Sequence, residues 1–562
     1  MKVVSRKVNG AKSVTANLIY NIVKIITQFV FRSLFVHYLS VEYLGLNSAI
    51  VNVLNLLSIT ELGFTSVIVI SLYRPIAEDD KNKIASIIAF YRKIFAIIGI
   101  AVFVLGMALL PFIDKLISVN GQLNVNLKLV YFIYLCSSSI SYFFSYRSVL
   151  LVAFQELYKQ SFLNTIVALF SFVAQILVVA LTKNYYAYLF CVVFFNVLNY
   201  ILNYILTVKA YPDIRIKNVS PIDKETMLSI KSNLKGMIYH KFSYVVLQAS
   251  DSLIISSFIG TLILGVYTNY TLFTSNLILF FSVVSTALAG GIGSLLAENN
   301  REKSYKIYQD LKFAFFWLAG FCSICLFVLL NPALNLWANL ASWDKSVNWT
   351  FDIFTVSIIV LNFYIYSSRV ITGTFRESVG NFNKDRFKGV VEAIINLIVS
   401  ILLVKPLGIA GVLIGTIVSC LCTSLWVDPY MIYKYGFNKP LRSHFKDIAI
   451  YTFVTICAGG CTWLVCSFID DVGVWSFILK LLVCIVIPNI IYLISYFKTQ
   501  SFKDIIGYIK AFLNKFNKKK GAQATECLNA ELKEGDTCDE NKISSGDALD
   551  DKKVNLKDDE QE

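Results

Sequence analysis

Five polar side chains share one face of the first apolar stretch: Asn17, Asn21, Lys24, Gln28 and Arg32 follow one another at intervals of 4, 3, 4 and 4. At about 100° per residue they fall within an arc of about 80° on a helix. A comparable stripe, Lys241, Tyr244, Gln248 and Asp251, is spaced 3, 4, 3. Glu61 stands in Thr60-Glu61-Leu62-Gly63, and Arg147 and Arg369 lie near the ends of two other apolar runs. Ionisable groups at membrane depth are costly, so they face a cavity or a partner. Cations on one stripe can hold a polyanion, and arginine presents a planar fork that matches phosphate oxygens. Glu61 and Asp251 are candidates for carrying a proton or cation; the sequence equally allows them to be counter-ions of Lys24, Lys241 or an arginine. Arg32 lies within reach of the outer interface, where it can snorkel. Isolated asparagines such as Asn164 and Asn276 read as bonds between neighbouring helices.

The elements that must position these groups are transmembrane helices. Hydrophobic residues make up 56% of the 562 positions, charged residues only 16%, and mean hydropathy is +0.63. A soluble chain carries about 25% charged residues. The apolar runs approach the ~20 residues that span a hydrocarbon core. Fourteen spans are predicted, over residues 14–39, 44–72, 89–112, 128–152, 160–182, 185–208, 236–259, 263–296, 311–330, 351–375, 388–404, 408–433, 446–468 and 474–497. The second and eighth are long enough to tilt or to extend beyond the bilayer. The segments on one side of these spans hold 35 Lys and Arg, whereas the other side holds Lys115, Lys183, Lys345 and Lys405. The positive-inside rule therefore places both termini in the cytoplasm. The basic start (Lys2, Arg6, Lys7, Lys12) leads into a retained first helix, because the run after it is too long for a signal peptide and lacks a cleavage site.

The net charge of +14 is distributed by loop side, which argues against nucleic acid as the partner. The scattered cysteines read as small apolar filler. Cys322-x-x-Cys325 has no second pair and no nearby histidine, so no metal is expected. His37, His240 and His444 are too dispersed to form a catalytic or metal cluster, and no phosphate-binding Gly-rich loop with Lys-Ser/Thr appears. No cofactor and no enzymatic site are expected. Lys480 and Asp428, near helix ends, read as structural.

Sliding the chain against itself by 220 positions brings Gln28 onto Gln248, Leu44-Gly45 onto Leu264-Gly265, Ala77-Glu78 onto Ala297-Glu298 and Lys83 onto Lys303. A shift of 222 brings Tyr142, Ser145 and Arg147 onto Tyr364, Ser367 and Arg369. The shift corresponds to six spans, an even number, so the repeat is parallel. The expected organisation is an N-lobe over 1–208, a linker over 209–235, a C-lobe over 236–435 and two extra helices over 436–497. A basic amphipathic segment follows over 498–520, where Phe502, Ile505, Ile506, Ile509, Phe512, Leu513 and Phe516 share a face. It can lie on an anionic membrane surface or serve as a solvated linker helix. The acidic tail over 521–562, with thirteen Asp or Glu from Glu526 onward, is expected to be disordered.

The segments Glu42-Tyr-Leu-Gly-Leu-Asn47, Thr60-Glu-Leu-Gly-Phe64 and Leu72-Tyr-Arg-Pro-Ile-Ala-Glu78 resemble the bacterial polysaccharide flippase family. So do Ser250-Asp-Ser-Leu-Ile-Ile-Ser256, Gly293-Ser-Leu-Leu-Ala-Glu298, Lys384-Asp-Arg386, Glu392-Ala-Ile-Ile-Asn396 and Trp426-Val-Asp-Pro-Tyr430. The likeness covers roughly residues 10–435. It implies membership of the multidrug/oligosaccharidyl-lipid/polysaccharide exporter superfamily and an all-α, MATE-like fold of two pseudo-symmetric lobes. It further implies flipping of undecaprenyl-pyrophosphate-linked oligosaccharide across the bacterial cytoplasmic membrane, for capsule, exopolysaccharide or O-antigen, with membrane lipids and other polysaccharide-assembly proteins as partners. Lys24, Arg147, Arg369, Arg32, Asn21, Gln28, Lys241 and Gln248 would line the cavity. A cation-coupled drug exporter of the same fold is the first alternative, and a membrane-embedded glycosyltransferase or polymerase the second. The cations in the cavity stripe argue against the former. The latter would need long outer loops with clustered charges, and residues 331–350 carry only Asp344 and Lys345.

Overall fold

The structure is a computed structural model; it describes residues 3–61, 64–119, 123, 125–216, 219–298, 300–379, 385, 387–470, 473–508 and 510. The first half runs α1 (Val3–Tyr38), α2 (Val41–Leu57), α3 (Phe64–Ala77), α4 (Lys81–Leu109), the short α5 (Ile113–Leu116), α6 (Leu127–Ser145), the short α7 (Val149–Ala153), α8 (Leu157–Thr182) and α9 (Tyr185–Ala210). The second half runs α10 (Lys224–Phe258), α11 (Thr261–Ala297), α12 (Arg301–Leu340), α13 (Ile353–Val379), α14 (Lys388–Cys422), α15 (Ser424–Met431), α16 (Arg442–Cys466) and α17 (Val474–Tyr496). Among the described residues, eleven helices are long and apolar enough to cross a membrane, and Val41–Leu57, Phe64–Ala77 and Val245–Phe258 are shorter apolar helices.

The helices begin where a short polar side chain can satisfy free backbone N–H groups. Asp80 accepts from Lys83 N at 2.9 Å, and Asn300, 220 positions later, accepts from Lys303 N at 3.1 Å. Asp223 caps α10 through Thr226 N at 3.0 Å. That cap starts α10 well before the span expected over 236–259, so the connecting segment shortens to about Tyr211–Asp223. Likewise α12 is 40 residues long, reaching beyond the expected 311–330 at both ends.

One expected span is interrupted, and the expected break between the spans over 388–404 and 408–433 is a turn within α14. The one expected over 44–72 ends its α-helix at Leu57 and passes through a 3-10 turn, Ser58–Glu61, where the Ser58 hydroxyl donates to Asn55 O at 2.6 Å. In α14, Gly408 takes φ +57°, a conformation open to glycine without a Cβ penalty, and Pro406 precedes it. The two arms fold back on each other there. A Cβ on Gly411 would overlap the Leu403 carbonyl, and one on Gly415 would lie 2.8 Å from Ser400 N.

Helix direction alternates. The ends of α1, α10 and α12 and the starts of α2 and α11 therefore share one face, called the far face; the opposite, basic face carries the Lys- and Arg-rich loops. In the first half α1 packs along α8, and α4, α6 and α9 pack in sequence. In the second half α10 packs on α14, and α13 lies against α11 and α12. Helix α2 crosses over to pack on α10 and α11. Helices α16 and α17 are fastened to the second half: buried Lys312 pairs with Asp447 at 2.6 Å, and Trp317 Nε1 donates to Asn489 Oδ1 at 3.1 Å. Residues 498–510 belong to a separate unit and include a helix over 500–508. The acidic tail, Ile509, Phe512, Leu513 and Phe516 lie outside the described residues, as do the side chains of Lys241, Tyr244 and His240.

Candidate functional site

The direction of the α1 stripe follows from Arg32. Its Nη1 donates to Thr268 O at 2.7 Å and to Asn269 Oδ1 at 3.0 Å, both on α11 of the other half. Gln28 and Lys24 lie one and two turns toward the basic face on the same side of α1, and both side chains are exposed. Asn21 is half-buried and donates to Asn17 at 3.3 Å. Among the described residues no carboxylate pairs with Lys24. On α10, Gln248 is exposed and Asp251 half-buried. The α1 stripe thus runs from Arg32, bonded to the other half at the far face, toward the basic face through exposed Gln28 and Lys24.

The two carboxylates have different surroundings. The Thr416 hydroxyl lies 3.2 and 3.1 Å from the two Asp251 oxygens, and Asn396 Nδ2 donates to Thr416 Oγ1 at 2.9 Å. Ser250 Oγ donates to Asn396 Oδ1 at 2.9 Å, and Asn396 is fully buried. The fold-back of α14 is what brings Asn396 to Thr416, twenty residues apart in sequence. Nearby, Ser400 Oγ donates to Val412 O at 2.9 Å. Carboxylate, amide, hydroxyl and carbonyl oxygens are the donor types that suit a hard cation. No cation pairs with Asp251 among the described ion pairs.

Glu61 closes the 3-10 turn. The Thr65 hydroxyl donates to Glu61 Oε1 and lies 2.8 Å from the Tyr91 hydroxyl. A cavity of ≈ 240 Å³ adjoins them, lined also by Ser141, Tyr142, Ser145 and Ser148. This chamber lies wholly within the first half, away from Asp251.

The repeat-related arginines are engaged locally. Arg147 is 6% exposed, and its Nη2 donates to Ile214 O at 2.6 Å in the connecting segment. That segment is also held by Tyr211 OH donating to Glu156 at 2.8 Å, by Lys81–Asp213 at 2.8 Å and by Lys83–Asp223 at 3.6 Å. Lys81 holds the Asp213 carboxyl below its usual range, chiefly by its hydrogen bond, and the Thr226 backbone bond does the same for Asp223. The Arg369 side chain is 27% exposed, donates to Cys420 Sγ and stands 3.9 Å from Glu392, which accepts from Ser424 Oγ at 2.5 Å. Each guanidinium therefore has a partner within its own part of the chain, a carbonyl for Arg147 and a thiol and carboxylate for Arg369. Asp428, read as structural, pairs with Lys388 at 2.5 Å. Asn396, Thr416 and Ser400 were missed as site residues: no helical spacing links α10 to the two arms of α14.

A family described as "Polysaccharide biosynthesis protein" matches residues 11–289. No curated protein matches the chain. Among solved structures, the fold is similar to a lipid II flippase, MurJ, in an inward closed conformation. That match has a TM-score of 0.63 and 15% identity, over 87% of this chain and 100% of that one. A multidrug resistance MATE family transporter in an inward-facing conformation matches with TM-score 0.57 and 14% identity, over 74% and 98% of the two chains. A transporter of the same MOP superfamily from Pyrococcus furiosus matches with TM-score 0.53 and 14% identity, over 77% and 97%. At these identities the likeness concerns the fold alone, an all-α architecture.

Proposed function

We propose that the chain belongs to the polysaccharide biosynthesis protein family, which matches residues 11–289, and that it is a flippase, not an enzyme. Its substrate is an undecaprenyl-pyrophosphate-linked oligosaccharide, moved across the bacterial cytoplasmic membrane by alternating access. The observation that carries the reading is Lys24, exposed on the α1 stripe beside Asn21 and Gln28 with no carboxylate partner among the described residues, and with the far end closed at Arg32. A pyrophosphate leaving water needs cations and donors in its path, because an unpaired buried charge is prohibitively costly. On the same reading Gln248 on α10 lines that path, Lys241 joins it by its place in the α10 sequence stripe, and Arg369 serves its basic side. Buried Arg147 acts through the connecting segment that it holds. Asp251 with Asn396 and Thr416 is the proposed coupling site for a cation, and Glu61 in its hydroxyl-lined chamber that for a proton or cation.

The Lys and Arg asymmetry supports cytoplasmic termini. A cysteine at Ser346 should then react with an impermeant thiol reagent outside intact cells, and cysteines at Asn82 or Asn300 should not. The functional test is reconstitution into vesicles, offering a labelled undecaprenyl-pyrophosphate oligosaccharide and, separately, a cationic drug. Translocation of the lipid-linked sugar alone is expected; transport of the drug alone would overturn the reading.

A further inference from the structure

Among the described residues, the hydrogen bonds between the two halves gather at the far face. Besides Arg32, Trp337 Nε1 donates to Ser33 Oγ at 2.6 Å, Trp343 Nε1 to Ser33 O at 3.1 Å, and Thr261 Oγ1 to Glu42 at 3.0 Å. Ser118 N donates to Ser256 O and Thr261 N to Ser118 O, each at 3.1 Å. Just below them the Phe29 ring packs 5.2 Å from Phe273 and 5.1 Å from Trp337. In the middle of this seam α2 crosses α11 at two glycines. A Cβ on Gly45 would overlap the Thr261 carbonyl group, 2.8 Å from its carbon, and one on Gly265 would overlap the Val41 carbonyl group, 2.9 Å from its carbon.

The two contacts are one contact seen twice. Gly45 and Gly265 are 220 positions apart, and so are their partners Val41 and Thr261. The crossing is therefore self-complementary about the pseudo-twofold axis, as an isologous dimer interface is. Both obstacles are backbone carbonyls, which cannot swing aside as a side-chain tip can. Relief of a methyl at either position must come from moving one half against the other.

We propose that this Gly45–Gly265 crossing is the closing contact of the far-side gate, and that the absence of side chains there sets the resting preference for the far-closed state. The close backbone approach, with weak Cα–H to carbonyl bonds, is available only in that state. A methyl penalises the closed state and leaves the open state, in which the helices part, unaffected. The resting population then shifts toward far-open, as any differential penalty requires. The inference rests on the alternating-access reading but concerns the gate alone, so transport with an unmoved gate would sink it while leaving the flippase assignment intact.

The test places a cysteine at Gln28, on the same side of α1 as Arg32 and one turn below it. Modification of that residue by an impermeant thiol reagent outside intact cells is read by peptide mass spectrometry, so the native cysteines do not interfere. Gly45→Ala and Gly265→Ala are each combined with Gln28→Cys. Gly460→Ala in α16, where a Cβ meets nothing within 4 Å, is the control. Glycine to alanine in a helix is otherwise favourable by about 1 kcal/mol, so a general loss of helix stability is not built into the comparison. At least about a fivefold faster modification is expected for both gate variants and no change for the control, corresponding to about 1 kcal/mol of shift. Rates equal to those of the Gln28→Cys chain overturn the proposal. If neither gate variant accumulates in the membrane while Gly460→Ala does, the crossing is a folding requirement and the proposal is equally overturned.

Discussion

Arg147 and Arg369 occupy corresponding places of the repeat, 222 positions apart, yet one holds a backbone carbonyl of the connecting segment and the other stands beside Glu392 and Cys420. The contrast extends to their surroundings. Toward the basic face the second half is tied by charge pairs, Arg376–Asp385, Lys388–Asp428 and Lys312–Asp447, each with at least one partner largely buried. The first half instead leaves a cavity around Glu61 lined by serine, threonine and tyrosine hydroxyls. Residues related by the sequence offset thus carry charges with different partners. The second half is braced toward its basic face by buried charge pairs, and the first carries on α1 the exposed Lys24, with which no carboxylate pairs among the described residues.

The largest effect on transport expected from this difference is at the carboxylates. If Asp251 carries the coupling ion, Asp251→Asn should lower gradient-driven export at least about tenfold, or ~1.4 kcal/mol, while substrate binding persists. Glu61→Gln run in parallel tells whether the first half also couples; wild-type transport by both variants would reduce the two residues to structural groups. Next comes the bracing. Arg376 donates through Nε and Nη2 to Asp385 with both side chains almost fully buried. Arg376→Ala leaves a buried carboxylate unpaired and should cost about 3–5 kcal/mol, seen as a lowered unfolding temperature of the detergent-solubilised protein. Arg147→Ala removes one hydrogen bond from a carbonyl and should cost about 1–3 kcal/mol in the same measurement. The reverse order would break the contrast between a braced and a less braced half. At the small end, Lys81→Ala loses only an exposed pair with Asp213 and should leave the unfolding temperature unchanged.

The membrane architecture was legible because apolar runs and loop charge are local properties. The repeat was legible in a few identities, and the structure gives them shape: Gly45 and Gly265 meet at one crossing, and Asp80 and Asn300 cap helices 220 positions apart. The α1 stripe was legible because helical spacing alone puts Lys24, Gln28 and Arg32 on one side. Spacing does not say what a residue meets. Arg32 faces the other half and bonds to it, and Arg147 meets a carbonyl 67 positions away. The Asp251 cluster escaped because it is assembled by the turn at Gly408, and the interruption at Ser58–Glu61 lies inside a run whose hydropathy is continuous.

The most direct test of the account is at Lys24. Lys24→Ala and Lys24→Arg, each reconstituted at equal amounts of folded protein, are compared for pyrophosphate-lipid binding and for translocation of the labelled oligosaccharide lipid. The alanine variant is expected to lose both by at least about tenfold, or ~1.4 kcal/mol, and the arginine variant to keep most of both, since charge is what the site supplies. Binding and translocation at the wild-type level by Lys24→Ala would contradict it.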